Sequence, residues 1–128
     1  MMNLLNAFET GTGYLPDKPI DFTSIPWSSH PTFDGVALKH LITSKDTNGA
    51  FSFHLVRIDP HKEIGLHIHE IQFETHEILN GTGTCITSKN TLTYTPGVIS
   101  LLPSNLPHRV IAGKEGLFLF AKFIPALC

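Results

Sequence analysis

The sequence predicts an all-β sandwich or barrel, and three observations support that class. After Asp34-Gly35 the chain becomes a run of short apolar segments. Turn residues separate them: Asn80-Gly81, Lys89-Asn90, Pro96-Gly97 and the stretch from Gly113 to Gly116. Helical patterning is nearly absent, its best candidate being "MNLLNAF" at the N-terminus. Short strands at regular spacing with Gly, Asn and Pro breaks are what layered β folds require.

Residues 1–34 read as an extended N-terminal arm. Pro16, Pro19, Pro26 and Pro31 rule out a helix across "YLPDKPIDFTSIPWSSHPTFDG", because proline lacks the N–H and biases its predecessor toward extended backbone. Ile20, Phe22, Ile25 and Trp27 give this arm an apolar side to lay on the barrel or on a second subunit. Residues 35–128 read as the barrel. Its strands, in order, are "VALKHLITS", "FSFHLVRI", "IGLHIH", "THEILN", "GTCITS", "TLTYT", "VISLLP" and "GLFLFAKFIP". The first is closed by "KDTNGA" and the second by Asp59-Pro60. "VISLLP" and "GLFLFAKFIP" are apolar on both faces, so cover is expected on both sides, from the core and from the arm or a second subunit.

The 128 residues suit one domain that needs no staple to hold a core. Net charge is -2, and the nine Lys and Arg are scattered rather than clustered. Nucleic acid and acidic membrane surfaces are therefore not expected partners. An apolar content of 41% beside 16% charged residues excludes disorder. Cys85 and Cys128 lie too far apart to form a disulfide framework. The N-terminus has no basic n-region, and no apolar run approaches the roughly 18 residues of a membrane span. A cytoplasmic location is the resulting expectation.

The chemistry concentrates in "GLHIHEIQFETHEILNG", Gly65 to Gly81. His67 and His69 are two apart, so on a strand they share a face and could hold one cation. Glu74 follows after a short link, and His108 stands in "LPSNLPHRVIAG" at the start of a later strand. Three neutral imidazoles and a carboxylate suit one divalent transition metal, Fe, Mn, Ni, Co, Cu or Zn, with two octahedral positions left open. Imidazoles bind only when neutral, so affinity should fall as pH drops below the free histidine value of about 6.5.

The neighbours follow by parity. His76 shares the face of Glu74, as a general acid or base beside the metal or as a hydrogen-bond partner of a ligand. Ile78 would face inward next. Glu70 and Gln72 read as a solvated turn, and Glu77 as a surface residue. His54 and Arg57 fall on opposite faces, so at most one looks into the barrel. An inward Arg57 could bind a substrate carboxylate through two hydrogen bonds, and Tyr94 is a second substrate-binding candidate. Phe51, Phe53, Phe118, Phe120 and Phe123 read as core.

These positions match two motifs. The first, G-x5-H-x-H-x(3,4)-E-x6-G, is met by His67, His69, Glu74 and Gly81; the second, G-x5-P-x-G-x2-H-x3-N, by Gly97, Pro103 and His108. His61 replaces the leading Gly of the first, and Asn105 and Ala112 replace the middle Gly and final Asn of the second. Over roughly residues 35 to 125 the chain resembles the cupin superfamily, as a small single-domain conserved-barrel protein of the RmlC-like type. The resemblance implies a double-stranded β-helix, or jelly roll, with one metal per chain, and a homodimer. It also implies a metal-dependent enzyme, of dioxygenase or of isomerase or lyase type, acting on a small organic acid, sugar or phenolic compound. The alternative is a non-catalytic sensor of such a molecule, which in this fold usually carries a DNA-binding domain; none is apparent in the sequence.

Overall fold

The computed structural model describes residues 4–128. Helix α1 (Leu4–Glu9) is followed by β1 (Thr12–Tyr14), β2 (Pro19–Asp21), a 3-10 turn (Phe22–Ser24) and β3 (Ser28–Ser29). The barrel proper contains β4 (Val36–Ile42), a one-turn helix α2 (Ser44–Thr47), β5 (Ser52–Ile58) and β6 (Glu63–His67). It continues with β7 (Phe73–Thr87), β8 (Thr91–Tyr94), β9 (Ile99–Leu102) and β10 (His108–Ile124). The helix expected in "MNLLNAF" is α1, and the first three residues of the chain lie outside the described ones. No described helix is long and apolar enough to cross a membrane.

All pairings are antiparallel, and the long strands β7 and β10 organise them into a jelly roll. The first part of β10 runs between β6 and the end of β7, with His108 opposite both His67 and Thr87. Its second part runs between β5 and the start of β7, from Leu117 opposite Ile58 to Phe123 opposite Glu74. β4 extends this layer beyond β5, while β8 and β9 pair with the two halves of β7. Each long strand thus serves both layers, which closes the barrel.

Here the structure corrects the expected segmentation. "THEILN" and "GTCITS" form one strand, and β10 runs unbroken through the Gly-rich stretch that reads as a turn in the sequence. The reason is backbone freedom at two glycines: Gly81 (φ +77°) and Gly116 (φ +79°) bend where the long strands cross. A Cβ on Gly81 would lie 2.1 Å from the Gly116 carbonyl oxygen, so only glycine allows this approach. A second correction concerns the start of "KDTNGA", which with Ser44 forms the one-turn helix α2. Asp46 accepts a hydrogen bond from the Thr43 N–H (2.9 Å), and Asn48 ends the turn at φ +54°.

Two apolar clusters hold the fold. One fills the barrel, with Val56, Ile58, Ile78, Tyr94, Leu102, Val110, Leu117 and Leu119 all buried. The other lies outside the β4–β5–β10 layer, where Leu5 of α1 and Phe22 of the arm pack on Leu41, Leu55 and Phe120. The apolar outer face of "GLFLFAKFIP" is therefore covered by the chain's own arm. Polar ties fasten the arm as well: the buried Lys39 donates to the Glu9 carbonyl (2.8 Å), and the Trp27 indole donates to the Glu9 carboxylate (3.1 Å).

Candidate metal centre

Four side chains from three segments converge at one end of the barrel. His67 ends β6, His69 follows it, Glu74 is the second residue of β7 and His108 opens β10. β6 is shorter than expected, so His69 lies just beyond its end. The Asn105 N–H compensates by donating to the His69 carbonyl (2.9 Å), which stitches the turn before His108 to the segment carrying His69. One ligand atom from each of the four residues lies within 4.8 Å of every other. The Glu74 Oε1 is 3.4 Å from His69 Nε2 and 3.3 Å from His108 Nε2. Two donors of one transition-metal ion stand about 3 Å apart.

The local hydrogen bonds aim these groups. The His67 Nδ1 is bonded to the Gly65 carbonyl (2.7 Å) and the His108 Nδ1 to the Leu106 carbonyl (2.8 Å). Each carbonyl can only accept, so both Nδ1 atoms carry the proton and both Nε2 atoms present a lone pair. Glu74 Oε1 and His108 Nε2 are buried without a hydrogen-bond partner. Leaving two such atoms unpaired is costly, and a cation between them removes the cost. The donor set therefore fits a transition metal.

The electrostatics agree. Burial alone would raise the pKa of Glu74, but the adjacent His76 and His108 outweigh it and hold the carboxyl well below its ordinary range. Burial lowers His67 and His69, which favours the neutral, ligating form. At His108 burial also acts downward, but the adjacent Glu74 carboxylate and the Leu106 carbonyl prevail and its pKa rises.

His76 lies beside the ligands with both ring nitrogens engaged. Its Nε2 meets Glu74 Oε2 (2.5 Å) and its Nδ1 meets the Tyr94 hydroxyl (2.7 Å), which in turn meets Ser100 Oγ (2.6 Å). With Glu74 ionised, Nε2–H donates to the carboxylate, Nδ1 accepts from Tyr94, and Tyr94 accepts from Ser100. Burial raises the Tyr94 pKa, so the phenol keeps the proton this chain needs. His76 therefore orients Glu74, and Tyr94 holds His76 from behind instead of lining the cavity. Arg57 stands on the outer face, its guanidinium 4.8 Å from the Trp27 ring centre, where the arm covers it. It does not line the cavity at the metal-binding cluster, whereas His54 is fully buried. Ile78 faces inward as parity requires, Glu77 pairs with Lys122 outside (2.6 Å), and Glu70 is exposed.

A cavity of about 80 Å³ adjoins the centre. Val36, Leu38, Val56, Ile64, Leu119 and Phe123 make most of its wall apolar. The sequence reading missed one lining residue, His30 of the arm. Its Nδ1 accepts from the Thr32 and Phe33 N–H groups (3.0 and 3.2 Å), which leaves Nε2–H as a donor, and burial lowers its pKa. The sequence offers only a lone histidine just before Pro31, which does not by itself place it in the cavity.

A family model described as the cupin domain matches residues 54–120, more than half of the chain. The chain belongs to the cupin family. Solved cupin structures overlay well. A predicted oxalate decarboxylase from Thermotoga maritima shares 26% identity at a TM-score of 0.71, covering 80% of this chain and 95% of its own. The polyketide cyclase RemF from Streptomyces resistomycificus shares 20% at 0.72, covering 84% and 78%. An RmlC-like cupin from Shewanella frigidimarina shares 16% at 0.70, covering 82% and 87%. A search of curated proteins finds no match. The departures from the cupin motifs keep their backbone. His61 adopts φ +62° and Asn105 φ +65°, left-handed values that the motif glycines would supply without strain.

Proposed function

We propose that this cupin is a metal-dependent enzyme of the dioxygenase type, acting on a small organic acid or phenolic compound that binds the metal directly. The observation that carries the reading is the pair of unpartnered buried atoms, Glu74 Oε1 and His108 Nε2, facing the same point as His67 and His69 beside an apolar cavity. A transition metal held by these four residues would supply Lewis acidity and two open positions for substrate and dioxygen. The chain's own residues bind, orient and exclude water. His76 fixes the free oxygen of Glu74, the aliphatic wall keeps the cavity dry, and the His30 Nε2–H can donate to a substrate oxygen.

The choice among cupin chemistries rests on proton handling. Among the described residues, the ionisable groups lining the cavity apart from the four ligands are His30 and His76. His76 is bonded at both nitrogens and His30 is held neutral through Nδ1. Isomerisation or lyase chemistry wants a free base near the substrate, whereas dioxygen chemistry asks less of the side chains. The lack of a free base also suits the second reading, a binding module that holds a small acid without turnover.

The test is metal analysis of untagged protein, followed by dioxygen uptake with Fe(II) across small acids and phenols. One transition metal per chain and substrate-dependent uptake are expected. Tight binding without uptake supports the binding module. If the protein holds no stoichiometric metal, and His67→Ala leaves stabilisation by added metal unchanged, both readings fall.

A further inference from the structure

A second cluster of metal-binding side chains lies outside this centre. His40 on β4, His54 on β5 and Cys128 beyond β10 each bring a donor atom within 4.8 Å of the others. The Nδ1 atoms of His40 and His54 face each other at 2.8 Å, and Cys128 Sγ is 3.8 Å from His40 Nδ1. Both cysteines are free thiols, and Cys128 is the exposed one. We propose that His40, His54 and Cys128 form a separate site for a soft or borderline metal ion, zinc foremost, with its remaining coordination position open to solvent.

The geometry needs little change. In a tetrahedral zinc site two nitrogens stand about 3.3 Å apart, and a nitrogen and a sulfur about 3.5 Å. The imidazoles have to part by roughly half an ångström and the sulfur to approach by about a third of one. An Nδ1···Nδ1 contact of 2.8 Å holds one proton between two lone pairs, and the ion takes that proton's place. The other nitrogen of His54 is already supported by Ser52 Oγ (2.7 Å), as a ligating imidazole requires. Burial and the neighbouring His40 push His54 down to about 4, so its ring is neutral in neutral solution. On binding, one imidazole changes tautomer and the Cys128 thiol releases its proton to solvent. Thiolate with imidazole selects zinc or cuprous copper over harder ions.

The site would also reach the main cavity. Leu127, next to Cys128, lines that cavity, and its N–H donates to Ser52 Oγ (2.8 Å). The Phe123 ring touches an imidazole of each cluster, His54 at 5.6 Å and His69 at 5.1 Å. An ion on His40, His54 and Cys128 therefore clasps to β4 and β5 the segment that supplies part of the cavity wall.

Cobalt(II) distinguishes the two sites, because only this one offers sulfur. In the full chain carrying His69→Ala and Glu74→Gln, Co(II) should still produce a sulfur-to-cobalt charge-transfer band in the near ultraviolet. Zinc should bleach the band and raise the melting temperature of the same protein. Cys128→Ser and His40→Ala, both at positions away from the buried core, should each abolish the band while the far-ultraviolet circular dichroism stays unchanged. Absence of the band in the parent double variant overturns the proposal. So does a band that survives Cys128→Ser, since Cys85 would then be the sulfur donor.

Discussion

The role assigned to Tyr94 gives the most direct test of how the centre is held. Tyr94→Phe removes one oxygen and leaves the ring in a fully buried position. That oxygen bridges His76 Nδ1 at 2.7 Å and Ser100 Oγ at 2.6 Å. His76 is 2% exposed, so no water replaces the donor to its Nδ1. An orphaned buried acceptor costs about 1–3 kcal/mol; taking the middle of that range, the metal-free protein should lose about 2 kcal/mol. At roughly 4 °C per kcal/mol for a domain of this size, the melting temperature should drop by about 8 °C. The second consequence separates a positioning role from packing alone. Freed on one side, His76 no longer fixes Glu74, and metal affinity should fall about 10–100-fold, the usual effect of losing a ligand's supporting hydrogen bond. Thermal melts with and without metal, beside a competitive chelator titration, read both quantities. A variant that melts lower but binds metal within twofold of the parent would show that the Ser100–Tyr94–His76 chain only fills the core, and the reasoning about Glu74 would fail with it.

Two further outcomes follow from groups outside that chain. Because His54 is pushed from 6.5 down to about 4 in the folded state, the unfolded chain binds the extra proton first as pH falls. Stability from this group is complete above about pH 6.5 and is lost between there and pH 4, up to about 3 kcal/mol; chelated protein in urea melts should show that slope, and a flat profile from pH 6.5 to 4 would refute it. Arg57→Ala should leave metal affinity and substrate KM unchanged and cost about 1 kcal/mol or less, since it removes only the stacking on Trp27; a raised KM with unchanged melting would place the guanidinium in the cavity after all.

The sequence revealed the candidate metal centre more fully than the strands that carry it. Period-two spacing put Glu74, His76 and Ile78 on one face, and the structure has all three buried there. Parity also separated His54 from Arg57, but it could not say which faced inward; the arm decides that, by placing Trp27 under the guanidinium. Strand boundaries were misread at Gly81 and at Gly113 to Gly116, because a glycine that bends a continuous strand looks the same in sequence as one that ends it. His30 was invisible for a related reason. Its role depends on the arm folding back so that the His30 N–H donates to the Val36 carbonyl (2.8 Å), a contact between segments that no local pattern encodes. The support behind His76 was hidden too, since Tyr94, which it meets, and Ser100, which Tyr94 meets, come from other strands.

Glu74 brings the stability and the chemistry of the centre into opposition. Its Oε2 is satisfied by His76, while its Oε1 is buried opposite the Nε2 atoms of His69 and His108. In metal-free protein this arrangement is repulsive unless His108 takes a proton, which is the direction in which its pKa moves. Glu74→Gln relieves the conflict. The amide oxygen can still accept from His76 Nε2–H, and the amide NH2 can donate to His108 Nε2 while no buried charge remains. Metal-free Glu74→Gln should therefore be as stable as the parent or about 1 kcal/mol more so, although it has lost the anionic ligand and the stabilisation by metal. Equilibrium urea unfolding in chelator measures the first effect, and the melting shift on adding metal measures the second. A variant destabilised by more than about 1 kcal/mol without metal would mean that the carboxylate already has its charge partner in the protein. The empty-handed Oε1 would then no longer argue for a cation, and the case for the centre would rest on spacing alone.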